Sequence, residues 1–192
     1  DVALGSNAGN PHYLPLREKS AVIVPDQVLL LDLWGKVREP GAVFADITWV
    51  GFTGPRVADE AARAFDTIVH ARDAALALVE ESAMTGREVH GWEVDRAARS
   101  VLEQSGYGDH ILHRTGHSLG ETVHGNGVHL DDYETHDDRR ILPGTGFTIG
   151  GITGVANYRN QVRFSDVNGD GRSDLLYVLD IGAYKAYYVR HA

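Results

Sequence analysis

Cysteine is absent from the 192 residues. That removes disulfides, thiolate zinc sites and cysteine nucleophiles together. No apolar run reaches the length needed to cross a membrane. No signal peptide is visible and the sequence begins at Asp1, so it reads as a processed or excised piece. Basic residues are outnumbered: 18 Lys and Arg stand against 27 Asp and Glu, a formal net charge of −9. A field of that sign disfavours nucleic acid as a partner. Residues 1–149 contain no internal repeat. What is present is a globular composition, 43% hydrophobic and 23% charged. It suits one domain with a real core, or one domain with a small appendage. Ten histidines is a high number, and those in a chemically informative context carry weight.

Residues 1–16 are rich in Gly, Asn and Pro and read as a loop. Residues 22–24 and 28–33 are short β-rich runs split by the turn signal Pro25-Asp26. Residues 35–41 read as a hairpin connection and 43–50 as the return strand. Two helices follow, over about 57–81 and 92–104. The first carries Phe65, Ile68, Val69, Leu76 and Val79 at helical spacing. The second carries Val94, Ala97, Ala98, Val101 and Leu102, and Gly106 ends it. Beyond residue 110 the pattern returns to short strands, at 110–114, 121–129, 145–150, 161–165, 175–179 and 183–189. Strands, then helices, then strands, without βαβ alternation, predict an α+β domain. Its helices would pack on one side of a curved, mostly antiparallel sheet.

Asp32 lies inside the apolar run Leu29-Leu30-Leu31-Asp32-Leu33-Trp34, and Asp46 inside Val43-Phe44-Ala45-Asp46-Ile47-Thr48-Trp49. A carboxylate within a buried strand is costly unless something pairs it. One such Asp is as readily a hydrogen-bonded core residue as a ligand. Two of them, on strands joined by one hairpin, point to a shared cation. His117, in His113-Arg114-Thr115-Gly116-His117-Ser118-Leu119-Gly120, is flanked by small residues that leave an imidazole accessible. His124 follows in Glu121-Thr122-Val123-His124-Gly125. Asp, Asp and His together make a plausible oxygen and nitrogen set for a divalent transition metal.

These segments, taken in order with Gly91–Arg99, Leu130–Arg140 and Phe147-Thr148-Ile149, resemble the successive motifs of the pita-bread (creatinase/aminopeptidase) metallopeptidases. The opening Val2-Ala3-Leu4-Gly5-Ser6-Asn7, with Pro11-His12-Tyr13, resembles their segment carrying a substrate-pocket His. Among subgroups the sequence looks closest to Xaa-Pro aminopeptidase and prolidase. The resemblance implies two divalent metals (Mn, Co or Zn), held with Asp32, Asp46 and His117 among the ligands. His12 and His124 would contact substrate and the tetrahedral intermediate. It implies a peptide substrate, no membrane partner, a cytoplasmic setting, and compatibility with a homodimer. The sequence departs from the family at two places. Where glutamate ligands are expected, Gly150 follows Ile149, and Ser165 follows Val162-Arg163-Phe164. A weakened or lost activity is therefore expected, down to a catalytically silent peptide-binding protein or a calcium-stabilised structural module.

A second motif closes the sequence. Asp166, Asn168, Asp170 and Asp174 place oxygen ligands at positions 1, 3, 5 and 9 of a Gly-containing loop, a spacing that wraps Ca²⁺. Residues 162–189 resemble one FG-GAP or VCBS-type repeat, a kind usually extracellular. The alternative is a polar turn rich in Asp, Asn and Gly. The expected organisation is a peptidase-like domain over 1–160 and a β segment over 161–192 that packs on it and does not fold alone.

Overall fold

A computed structural model describes residues 1–11, 13–150 and 161–163, the last three as a strand only. The strands are β1 (Val2–Leu4), β2 (Val28–Gly35), β3 (Ala45–Phe52), β4 (Phe147–Ile149) and β5 (Gln161–Arg163). The helices are α1 (Asp59–Thr85) and α2 (Gly91–Gln104). One sheet runs β1-β2-β3 and a second pairs β4 with β5, each pairing antiparallel. The described elements therefore match the α+β expectation.

The hairpin of β2 and β3 sets the geometry of everything that follows. In its register Asp32 faces Thr48 and Trp34 faces Asp46. Side chains alternate along a strand, so Leu30, Asp32 and Trp34 share one face. Thr48 and Asp46, their cross-strand partners or neighbours at two-residue spacing, share that face too. The two carboxylates thus lie on the same side of the sheet, on a diagonal.

The opening residues are not all loop. Val2-Ala3-Leu4 pairs with Leu31, Leu30 and Leu29, and a 3-10 turn over Gly5–Gly9 follows. Ala3 and Ala8 bury against Leu30. With β1 on one edge of β2 and β3 on the other, the run 22–24 has no edge of β2 to join. It is not a strand, and its Val22 side is 79% exposed.

Helix α1 opens with Asp59 and Glu60 near its positive end, a favourable placement. It runs past the expected end at 81 and stops where Gly86 takes a left-handed conformation (φ 72°) that costs glycine nothing. Helix α2 is fixed at its start by Glu93, whose carboxylate accepts the His90 backbone N–H at 2.9 Å. Ile68, Ala71 and Ala75 of α1 meet Val94, Ala98 and Leu102 of α2 in the main core, which also takes in Leu130, Phe147 and Ile149. Each large side chain buried there contributes about 1.5–3 kcal/mol.

Residues 110–114 and 121–129 are also not strands. A 3-10 turn occupies Gly108–His110, and isolated bridges join Gly116 to Leu130 and Ser118 to Phe147. Backbone carbonyls and side chains satisfy this backbone in place of a ladder: the His129 N–H donates to Asp137 at 2.8 Å and the Gly125 N–H to the Ser118 carbonyl at 2.8 Å. The strands expected at 175–179 and 183–189 lie outside the described residues.

Candidate active site

Asp46 is buried, and Asp32 is half-buried beside it. The Thr48 hydroxyl donates to Asp32 Oδ1 at 2.9 Å. Burial pushes the Asp32 carboxyl above its ordinary range. The Thr48 hydrogen bond opposes this, and the negative charge of Asp46 adds to it. The Asp1 amine and His117 offset part of this.

His117 arrives from a different part of the chain. Its Nε2 stands 3.2 Å from Asp46 Oδ2, and its Nδ1 lies 3.1 Å from the Ser118 carbonyl oxygen. Both neighbours are acceptors, and a neutral imidazole has one N–H to give them. The ring of His124 meets His117 edge-on at 4.3 Å between centroids. Burial, then the neighbouring His117 and Arg114, hold His124 below the usual histidine range, so it is neutral at pH 7.

The segment carrying His117 is anchored from both sides. Asp95 of α2, fully buried, accepts the Thr115 N–H at 2.8 Å and the Asp132 N–H at 3.0 Å. The Arg99 fork pairs with it at 3.0 and 2.7 Å. On the other side, the Thr148 hydroxyl accepts the His117 N–H at 3.1 Å, and the Thr148 N–H returns to the His117 carbonyl at 2.8 Å. Gly116 allows this approach, because a Cβ there would lie 1.9 Å from the Thr148 carbonyl oxygen. Asp131 organises the neighbouring loop. Burial pushes its carboxyl up, but the N–H groups of Tyr133, Glu134 and Thr135 and the Thr135 hydroxyl outweigh that and hold it low.

A cavity of about 380 Å³ gathers Asp32, Asp46, Thr48, His117 and His124 from three separate segments. Four of the five catalytic and metal residues read from the sequence therefore meet. The fifth, His12, lies outside the described residues, although its neighbour Pro11 lines the cavity. Asp166, Asn168, Asp170, Asp174 and Ser165 also lie outside them. Trp34, Arg114 and Glu134 line the same cavity without having been singled out. Arg114 is held by Asp131 at 3.3 Å and Glu134 at 3.6 Å. For Trp34 the available signal was its two-residue spacing from Asp32.

The donors present do not fit the metal pair that the resemblance implies. Gly150 lines the cavity at the place of an expected ligand and brings no side chain. Among the described residues, no group of three or more His, Asp or Glu side chains stands ready to hold a metal ion.

Comparison with known proteins places this geometry. The sequence pattern of metallopeptidase family M24 matches residues 1–168. An Xaa-Pro dipeptidase of Lactobacillus helveticus is 31% identical over 123 residues, covering 64% of this chain and 30% of that protein. One from Lactobacillus delbrueckii subsp. lactis is 30% identical over 138 residues, covering 68% and 34%. The chain thus spans about a third of the length of these relatives. A dipeptidase structure from Pyrococcus horikoshii OT3 superposes with a TM-score of 0.66 at 27% identity, over 89% of this chain and 44% of that one. A prolidase from Thermococcus sibiricus, at 23% identity and TM-score 0.65, shares the fold over 89% of this chain and 42% of its own. Among the described residues no helix is long and apolar enough to cross a membrane. The chain belongs to metallopeptidase family M24.

Proposed function

We propose that the cavity is the site of a metal-dependent exopeptidase that hydrolyses the N-terminal peptide bond of peptides, with proline in the second position. The convergence of Asp32, Asp46, His117 and His124 on one cavity carries this reading. Two similar proteins described as Xaa-Pro dipeptidases support the substrate class. Asp32, Asp46 and His117 would close on a divalent transition metal, whose positive charge relieves the carboxylate crowding and accepts the His117 lone pair. A metal held by these residues would supply Lewis-acid chemistry. Neutral His124 donates a hydrogen bond to the oxygen that gains charge, and His12 is assigned to substrate contact. Without carboxylates at 150 and 165, the chain has no acid–base group at those positions. Turnover is accordingly about 10² to 10⁴ below that of a complete centre.

The test has two arms. Calorimetric titration with Mn²⁺, Co²⁺ and Zn²⁺ measures metal binding, and hydrolysis of Xaa-Pro dipeptides measures activity. Binding that disappears in Asp46→Ala, with slow turnover that Gly150→Glu raises, supports the reading. No binding by the unaltered chain, or binding indifferent to Asp46→Ala, refutes it. The loop Asp166–Asp174 is proposed separately as a Ca²⁺ site, supported by its ligand spacing. Calcium titration of the chain and of its Asp170→Ala variant checks it, with loss of binding in the variant as the expected result.

A further inference from the structure

The wall of the cavity holds a large aromatic side chain that neither metal binding nor acid–base chemistry uses. Trp34 is half-exposed, at 50%, yet it lines the cavity with Asp32, Asp46 and His124. Two features of the fold aim it there. Trp34 is two residues beyond Asp32 on β2, so both point to the same face. It is also the cross-strand partner of Asp46. The indole therefore stands next to the place where a scissile bond has to lie. Val123, the residue before His124, and Pro11 add apolar surface to the same cavity.

The remainder of the wall limits what this surface can select. Arg114 is the one described Lys or Arg lining the cavity, and it is already tied to Asp131 and Glu134. Asp32, Asp46 and Glu134 also line it, so the acidic side chains of the wall outnumber its one Arg. A half-exposed indole beside a polar centre offers dispersion and ring contacts to an apolar group and offers a carboxylate nothing. Such a concave, partly apolar wall with a few convergent polar groups is the usual form of a selective pocket.

We propose that Trp34 is the specificity-determining residue of this site, selecting peptides whose residue beside the scissile bond carries a bulky apolar or aromatic side chain. This rests on the reading of the cavity as a peptide site. The indole covers the incoming side chain, strips water from it and holds the scissile bond over Asp46 and His117. Small and acidic residues lose that contact.

The experiment measures binding, so that slow turnover does not obscure it. Non-hydrolysable dipeptides with a reduced central bond, carrying Phe, Leu, Gly or Glu before proline, are titrated into the full chain by calorimetry, without and with Mn²⁺. The unaltered chain is expected to favour Phe and Leu over Gly and Glu by about tenfold, the scale of one aromatic contact. Trp34→Ala is expected to level that preference while its Mn²⁺ affinity stays unchanged, and Trp34→Phe to restore most of it. A preference that survives in Trp34→Ala overturns the proposal while leaving the peptide-site reading intact. Absence of all dipeptide binding by the unaltered chain, without and with Mn²⁺, overturns both. A fall in Mn²⁺ affinity in Trp34→Ala that matches the fall in dipeptide affinity assigns the residue a structural role and overturns the proposal as well.

Discussion

Replacing Asp95 by Asn tests the anchor that joins the helical layer to the candidate site. The Asp95 and Arg99 side chains are 0% and 6% exposed, so water cannot substitute for a lost partner. Asp95 accepts four hydrogen bonds: two from the Arg99 fork and one each from the Thr115 and Asp132 backbones. Asparagine keeps the volume and can still accept from Thr115 through its one oxygen. Its amide group then faces Arg99 and the Asp132 N–H, donor against donor. A buried guanidinium left without its counter-charge costs about 3–5 kcal/mol, and an orphaned N–H about 1–3 kcal/mol, an overlapping cost rather than a further one. Against a domain stability of about 5–15 kcal/mol, the expected loss of about 3–5 kcal/mol lowers Tm by roughly 10 °C. Urea unfolding followed by circular dichroism measures it. The double variant Asp95→Leu with Arg99→Met leaves no buried charge and should recover part of the loss. An Asp95→Asn chain within about 1 kcal/mol of the unaltered protein would show the reasoning to be wrong.

Asp32 titrates above the ordinary carboxylate range in the folded chain, so its stabilising contribution is present at low pH and lost as pH rises through that elevated value. Asp32→Asn should therefore raise the unfolding midpoint of the metal-free protein at pH 7 and abolish the further rise that Mn²⁺ produces, both read by thermal denaturation. Asp131 and Asp137 shift the other way, held low by hydrogen bonds that outweigh their burial. Their contribution is complete above about pH 4 and is lost as pH falls through their depressed values. Urea midpoints measured from pH 6 to pH 2 should fall steeply at the acid end, and less steeply in Asp137→Asn. Gly116→Ala forces a Cβ against the Thr148 carbonyl oxygen. It should cost about 1–3 kcal/mol and weaken Mn²⁺ binding through the displaced His117, as calorimetry will show.

The sequence made the long elements legible because their periodicity is long. Val94, Ala98 and Leu102 are enough to define α2, and the apolar residues on both sides of Asp32 define β2. Asp32, Asp46 and His117 were visible because a carboxylate in an apolar strand, or a histidine among small residues, is physically conspicuous. Three residues of β1 within a Gly- and Asn-rich opening were not, since so short a strand exists only because β2 offers it an edge. Residues 22–24 misled for the converse reason: their composition suits a strand, but neither edge of β2 is open to them. Arg114 and Glu134 join the site through loop geometry, which no local pattern encodes, whereas Trp34 and Thr48 share it through their two-residue spacing from Asp32 and Asp46. Residues 110–114 and 121–129 read as strands by composition, while Asp95, Asp131 and Asp137 take up backbone N–H groups of the loop that contains them.

Helices α1 and α2 lie in sequence between Asp46 and His117. Before those helices dock, the hairpin brings together only two carboxylates. His117 joins them when the helical layer closes and Asp95 accepts the Thr115 N–H. Long-range closure of that kind is slow compared with forming the hairpin. The cavity shared by Asp32, Asp46, His117 and His124 is therefore a product of tertiary closure, and the hairpin alone does not contain it.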